Sequence, residues 1–95
     1  MAILATERLE EQPAESRLYA MEFSTLLIGS EALSTITSVT CTPTGLTIAD
    51  TAINGTTVQV RLSGGTVDTI YRVEFIVTTD GGNTLESDGE LWVHD

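Results

Sequence analysis

The chain has 95 residues and a formal net charge of −10, which arises from 14 acidic residues against four arginines and no lysine. This length allows one domain with a modest core, and this charge argues against binding to nucleic acid or to an anionic membrane surface. A single cysteine, Cys41, permits no internal disulfide and fits production in a reducing cytoplasm. The start of the chain lacks the basic region of a signal peptide, and no apolar run is long enough to cross a membrane, so we expect neither secretion by that route nor a membrane span.

Residues 1–16 differ in character from the rest of the chain, because they combine a high density of charge with a few apolar residues and one proline. A short helix over about residues 3–11 is one interpretation, but a helix this brief is marginal alone, and Gln12 before Pro13 favours an extended exit. We therefore predict an N-terminal arm that becomes ordered against a partner. Its predicted contact residues are Ile3, Leu4, Leu9 and Pro13.

From Arg17 onward, apolar and polar residues alternate with the period of a β-strand that has one buried face. The first strand places Tyr19 and Met21 on the same side. The stretch 35–42 is rich in β-favouring residues but leaves open which face is buried. Further strands are predicted at 46–48, 57–62, 69–79 and from about residue 84 to the end, and the turns between them are Pro43-Thr44-Gly45, Asn54-Gly55, Ser63-Gly64-Gly65 and Asp80-Gly81-Gly82-Asn83.

Short strands separated at this spacing by Gly, Pro, Asn and Asp turns are typical of a β-sandwich. The sequence therefore predicts an all-β fold, an immunoglobulin-like antiparallel β-sandwich of about seven short strands. The sandwich domain would span residues 17–95 and follow the extended N-terminal arm of residues 1–16.

Few residues in the chain could carry chemistry. The single histidine, His94, lies next to the C-terminus, and Cys41 has no basic neighbour and no second cysteine, so we predict neither an enzyme nor a cofactor. The run Asp80-Gly81-Gly82-Asn83 with Glu86 and Asp88 resembles part of a calcium loop, but its spacing matches no complete loop, and hairpin turns use the same residues. We therefore expect a turn there and predict no metal site.

The five aromatic residues fall on strands, and core packing explains most of them. Tyr71, near the start of the longest strand, is a candidate for the corner tyrosine seen in some sandwiches. Trp92 is the aromatic residue that we predict to contact a partner, as a secondary site beside the arm.

Several motifs carry a resemblance to a known family. They are the segment Pro13–Phe23 with Leu27 and Gly29 behind it, the run Val60-Arg61-Leu62-Ser63-Gly64-Gly65-Thr66, the tripeptide Tyr71-Arg72-Val73, and the turn Thr78-Thr79-Asp80-Gly81. Over residues 12–95 the chain resembles small Ig-like proteins associated with the particles of tailed bacteriophages and prophages. It departs from them at Phe23, where a Trp-like residue is common, and in its longer lead-in.

The resemblance implies a non-enzymatic structural protein, made in the host cytoplasm and located in the virion. We predict a capsid decoration or cement protein that binds the major capsid protein at the capsid surface, stabilises the shell and forms a homodimer or homotrimer. The alternatives are a head-to-tail or tail-associated structural adaptor and a module that binds a host surface or carbohydrate. The scarcity of aromatic residues argues against the last of these.

Overall fold

In the computed structural model, residues 2–4 and 9–95 are described, with side chains from Leu9 onward. Within them the fold consists of strands and one turn of 3-10 helix, so no helix there is long enough to span a membrane. The elements are β1 (Ala2–Leu4), β2 (Leu9–Glu11), β3 (Ser16–Glu22), the 3-10 turn (Ser24–Leu26), β4 (Leu33–Thr42), β5 (Leu46–Asn54), β6 (Thr57–Gly64), β7 (Thr69–Thr79) and β8 (Thr84–Val93).

The strands form two four-stranded sheets that pack face to face as a sandwich. Sheet A has the order β1-β3-β6-β5, and sheet B has the order β2-β8-β7-β4. The longer strands pair antiparallel, whereas β1 lies parallel to β3 and β2 lies parallel to β8. The molecule measures 43 × 20 × 18 Å, with eight strands where about seven were expected. The predicted all-β sandwich is confirmed.

The inward faces of both sheets supply one core, and the alternation of the sequence explains which residues enter it. On β6 and β7, every second side chain is buried, and the intervening positions are polar or half-exposed. The residues with at most 2% exposure in this core are Tyr19, Met21, Phe23, Val58, Val60, Leu62, Val73, Phe75, Val77 and Leu91.

Strand β4 shows why its buried face could not be chosen from the sequence. The register against β7 shifts between Ile36 and Ser38, so Ile36 lies opposite Val77 while Val39 lies opposite Phe75. The two inward residues are therefore three positions apart, and Ile36, Val39 and Cys41 all pack against the core. An irregularity of this kind changes the phase of the alternation within one strand.

Part of the N-terminal segment lies in the sandwich. Residues 2–4 and 9–11 form strands β1 and β2, so the described part of the possible helix over 3–11 is strand and not helix. The remaining residues of that range, 5–8, lie outside the described residues, as does Met1. Residues 2–4 thus add a parallel strand to sheet A, and residues 9–11 add a parallel strand to sheet B.

Tyr71 has the corner role expected of it. Its hydroxyl oxygen accepts a hydrogen bond from the backbone N–H of Thr66, five residues upstream, at 2.8 Å. The ring also packs beside Gly45 and Gly65, where an added Cβ would lie 2.9 and 3.1 Å from atoms of the tyrosine. The tyrosine therefore fixes the connection between β6 and β7 against the turn between β4 and β5.

Candidate docking surfaces

The two ends of the sandwich carry different chain segments. At one end, here called the loop end, lie the segment from Phe23 to Ala32, the turn at Asn54-Gly55 and the turn between β7 and β8. At the other, called the terminal end, lie the turns after β2 and β4, the connection after β6 and the C-terminus. Features at the two ends are therefore separated along the 43 Å axis.

Trp92 lies on the outer face of sheet B at the terminal end. Its ring stacks on the imidazole of His94, with 4.4 Å between the ring centroids. Ile70 lies directly opposite Trp92 on β7 and is 40% exposed. We call Ile70, Trp92 and His94 the tryptophan surface. Its edge is acidic, because Glu10 on β2 lies opposite Trp92 on β8 and has a carboxylate oxygen 3.6 Å from His94 Nε2.

A row of carboxylates continues along the same outer face toward the loop end. Glu86, Asp88 and Glu90 project from β8, and Glu74 lies opposite Asp88 on β7. A hydrogen bond with Glu74, together with the charge of that group, raises the pKa of Glu86. Arg72 is 3.9 Å from both Glu74 and Asp88, and it is the one basic side chain in this row. The outer face of sheet B therefore has a strong negative charge.

The loop end presents an apolar loop, defined here as residues 24–30. The loop carries no charged residue, although the chain has a formal charge of −10. Leu27 packs against the core, whereas Leu26 is 41% exposed and Ile28 is 75% exposed. Ile28 has the highest exposure among the large apolar side chains in the described part of the chain. A turn would ordinarily hold polar residues at such positions, so these two exposed side chains make the apolar loop a candidate contact surface.

Hydrogen bonds accepted by the Glu31 carboxylate hold the apolar loop against the turn between β7 and β8. One carboxylate oxygen of Glu31 accepts from the backbone N–H of Ile28 at 3.2 Å. The other accepts from the hydroxyl of Thr79 and from the side-chain amide of Asn83, each at 2.5 Å. Asp80 adds two bonds to Ala32, since its N–H donates to the Ala32 carbonyl and its carboxylate accepts from the Ala32 N–H.

A shallow cleft at the terminal end contains a buried acid. Glu11 is 1% exposed, and neither of its carboxyl oxygens has a hydrogen-bond partner of ordinary geometry; the same holds for the buried hydroxyl of Tyr19. Burial raises the pKa of Glu11 to about 7, and burial likewise raises the pKa of Tyr19. Nearer the surface, Glu15 forms an ion pair with Arg17 and accepts a hydrogen bond from the backbone N–H of Gln12.

A comparison with protein families identifies the group to which the chain is related. The family described as Podophage GP4 fiber-tail adaptor protein gp77 matches residues 11–91, which is most of the sandwich. The chain belongs to this family. It is therefore a structural protein of the phage particle, as expected from the resemblance to virion proteins, although the match does not extend to the capsid decoration type. No curated protein matches the chain.

The geometry offers this gp77 family member no assembled catalytic centre among its described residues. Cys41 packs against the core on the inner side of sheet B, whereas His94 stacks on Trp92 on the outer side. The acidic turn that resembled part of a calcium loop uses the Asp80 carboxylate to accept from the Ala32 N–H. Within residues 9–95, no group of three His, Cys, Asp or Glu side chains is arranged so that it could hold a metal ion.

The predicted contact residues of the arm lie in or beside its two strands. Ile3 and Leu4 belong to β1, and their side chains are outside the described set. Leu9 is partly buried against the core, and Pro13 is half-buried in the turn after β2. Trp92 is half-buried on the outer face. These residues remain predicted contacts, since their part in binding is a property of a complex.

Two features were missed by sequence reasoning. The run Leu26-Leu27-Ile28 directly precedes the turn at Gly29, and a short apolar run before a turn is equally compatible with the end of a buried strand, so the sequence does not indicate its exposure. Glu11 was grouped with the other acids of the arm. No sequence signal separates it from Glu10, because the difference is the strand pairing that turns one residue inward and the other outward.

Proposed function

We propose that this protein is an adaptor that joins a tail component to a fiber component of the phage particle, without catalysing a reaction. The observation that carries the proposal is the match to the fiber-tail adaptor family over residues 11–91. It favours the tail-associated adaptor, which was the alternative interpretation of the sequence. The capsid cement function, with the major capsid protein as partner, receives no support from that match.

The shape of the molecule supports an adaptor. A protein that joins two others needs two contact areas that can be occupied at once. The tryptophan surface and the apolar loop lie at opposite ends of a sandwich 43 Å long, and each exposes large apolar side chains. A few well-packed side chains near the centre of an interface, with Trp prominent among them, supply most of the binding energy of typical complexes.

We propose Trp92 as the main contact residue at the terminal end. The indole lies between Ile70 and Glu10 on the neighbouring strands and is stacked on His94, so its orientation is set before binding. The N-terminal residues Ile3, Leu4, Leu9 and Pro13 stay in the proposal as additional contacts at the edge formed by β1 and β2. Self-association into a dimer or trimer likewise remains a proposal, to be measured by light scattering on the purified chain.

The experiment that tests the adaptor function is reconstitution with the tail and fiber proteins encoded by the same phage. The purified chain is mixed with each protein alone and with both together, and the assemblies are weighed by native mass spectrometry. We expect binary complexes with each protein and a ternary complex with both. Shells of the capsid protein, with and without the chain, serve as a further arm in which their melting temperature is measured.

The outcomes separate the candidate functions. If the tail and fiber proteins join each other equally well without the chain, the adaptor proposal is wrong. If the chain instead binds capsid shells and raises their melting temperature, the cement function is correct. Binding to neither would also contradict the adaptor.

The contribution of Trp92 is tested by Trp92→Ala, which should weaken binding to one of the two proteins by about tenfold or more. Trp92→Phe is the matched variant, because it keeps an aromatic ring and should retain most of the affinity. Thermal unfolding of both variants checks that the sandwich is intact. Equal affinity of Trp92→Ala and the unsubstituted chain for both proteins would remove Trp92 from the interface.

A further inference from the structure

We propose that the apolar loop inserts Leu26 and Ile28 into an apolar pocket bordered by basic side chains on one of the two proteins joined by the adaptor. This inference rests on the proposed adaptor function and adds to it the location of the second contact and the chemistry of its partner. The tryptophan surface would then bind the other protein.

The apolar loop exposes apolar surface at a place where the fold does not require it. Leu27 packs against the core at this corner, whereas Leu26 and Ile28 are 41% and 75% exposed and are not part of the core cluster. Their burial in a pocket would remove two large apolar side chains from water, which is favourable in proportion to the apolar area covered. A contiguous apolar tip on a small, highly charged protein is a feature expected of an interface.

The apolar loop is also held in a fixed conformation before binding. Glu31 accepts hydrogen bonds from three different groups, and the backbone N–H of Ile28 is one of them. The N–H of Glu31 in turn donates to the Ile28 carbonyl at 3.1 Å. A loop ordered in advance loses little conformational freedom when it docks, so more of the burial energy appears as affinity.

The charges around the apolar loop indicate the charge of its partner. Glu22, Glu31 and Asp80 surround the apolar loop, and hydrogen bonds from Thr56 and Thr79 lower the pKa of Glu22 and Glu31 respectively, so both stay ionised. Among the described residues, the arginines lie on strands away from this end and have acidic neighbours of their own. Electrostatic complementarity therefore favours a pocket bordered by Arg or Lys. A second copy of this chain, which also has a net charge of −10, is a poor partner for the loop.

The test compares two matched variants against the isolated tail and fiber proteins by calorimetry. Leu26→Ser with Ile28→Ser removes the apolar tip, and Ile70→Ser removes an exposed apolar side chain at the terminal end. All three side chains are at least 40% exposed, so both variants should fold. We expect the loop variant to lose about tenfold or more in affinity for one protein only, and Ile70→Ser to weaken binding only to the other.

The basic border of the proposed pocket is tested separately, by the salt dependence of the association rate. Association with the protein that binds the loop should slow markedly when salt is raised from about 0.05 to about 0.5 M, because screening weakens the attraction between opposite charges. An association rate that is independent of salt would contradict a pocket with a basic border.

Failure of the inference can be told apart from failure of the adaptor function. If the unsubstituted chain binds neither protein, the adaptor function is wrong. If it binds both and the loop variant does so equally well, the adaptor stands and the loop inference is overturned. Sedimentation of the chain alone tests whether the loop binds a second copy of this chain. Self-association that is lost in the loop variant would show that it does and would overturn the inference.

Discussion

At the scale of single residues, Glu11 links the pH of the solution to the stability of the fold. Burial, with a smaller contribution from the charge of Glu15, raises the pKa of Glu11 from 4.5 to about 7. Tyr19 and Arg17 act in the opposite direction and lower this pKa. Below about pH 4.5 the proton is bound in both the folded and the unfolded chain. As the pH rises toward 7 the unfolded chain releases its proton first, so the free energy of unfolding falls, and the loss is complete above pH 7.

Glu11→Gln should remove this dependence. We expect the free energy of unfolding of the variant, relative to the unsubstituted chain, to rise by on the order of 2 kcal/mol between about pH 4.5 and about pH 7.5. Urea unfolding at a series of pH values measures it. Glu10→Gln is the control, because it removes a carboxyl from the next residue of the same strand on the exposed face. Parallel pH profiles for Glu11→Gln and the unsubstituted chain would show that Glu11 is not buried as described.

Tyr71 and Gly45 form a second pair whose effects should depend on each other. Tyr71→Phe leaves the Thr66 N–H without its acceptor and should cost about 1 kcal/mol of stability. Gly45→Ala combines a strained φ of +144° with a Cβ 2.9 Å from the tyrosine hydroxyl oxygen, so it should cost more. In a double-mutant cycle measured by urea unfolding, Gly45→Ala should cost less in the Tyr71→Phe background, because the clashing oxygen is gone. Additive costs would contradict the contact.

At the scale of strands, the sequence predicts the inward face of a strand where apolar and polar residues alternate regularly. It does not predict that face where pairing with a neighbouring strand determines it. The inward residues of β3, β6 and β7 follow from period-two patterning, and Tyr71 from its place in the strand. Strand β4 could not be assigned a face, because the register shift between Ile36 and Ser38 depends on its partner strand. Strands β1 and β2 are three residues long, too short to show a period, and only their pairing with β3 and β8 defines them. The sequence likewise does not indicate that Ile28 is exposed, because its exposure depends on where Leu27 packs.

Strand β2 should contribute to the stability of the sandwich. It covers the edge of β8 at Leu91–Val93 and places Leu9 against the core. Deleting residues 1–12 should therefore lower the melting temperature and expose an edge strand that can pair with another copy. We expect oligomers or aggregates of the truncated chain in light scattering. Leu9→Ala is the control, since it weakens packing but keeps the strand. A truncated chain with the stability and mass of the full chain would show that β2 contributes little to the sandwich.

At the scale of the whole molecule, an adaptor must bind one partner without disturbing its site for the other. The two proposed contacts lie at opposite ends of one sandwich, and β7 and β8 run between them as a continuous antiparallel pair through a closely packed core. Such a core resists small deformation, so binding at one end should leave the strands at the other end in place. The two binding events should therefore be independent, with the affinity for one protein changing less than about twofold when the other site is saturated.

Calorimetric titration of each protein into the chain alone, and into the chain saturated with the other protein, measures this coupling. The loop variant Leu26→Ser with Ile28→Ser is the matched control, because it should bind only the protein at the terminal end, with the affinity of the unsubstituted chain. Mutual exclusion would place both proteins on one surface, whereas strong cooperativity would mean that the tail and fiber proteins also touch each other alongside the 43 Å length of the sandwich. Independence would fit the separation of the two contacts, because partners held at the ends of a 43 Å molecule need not meet.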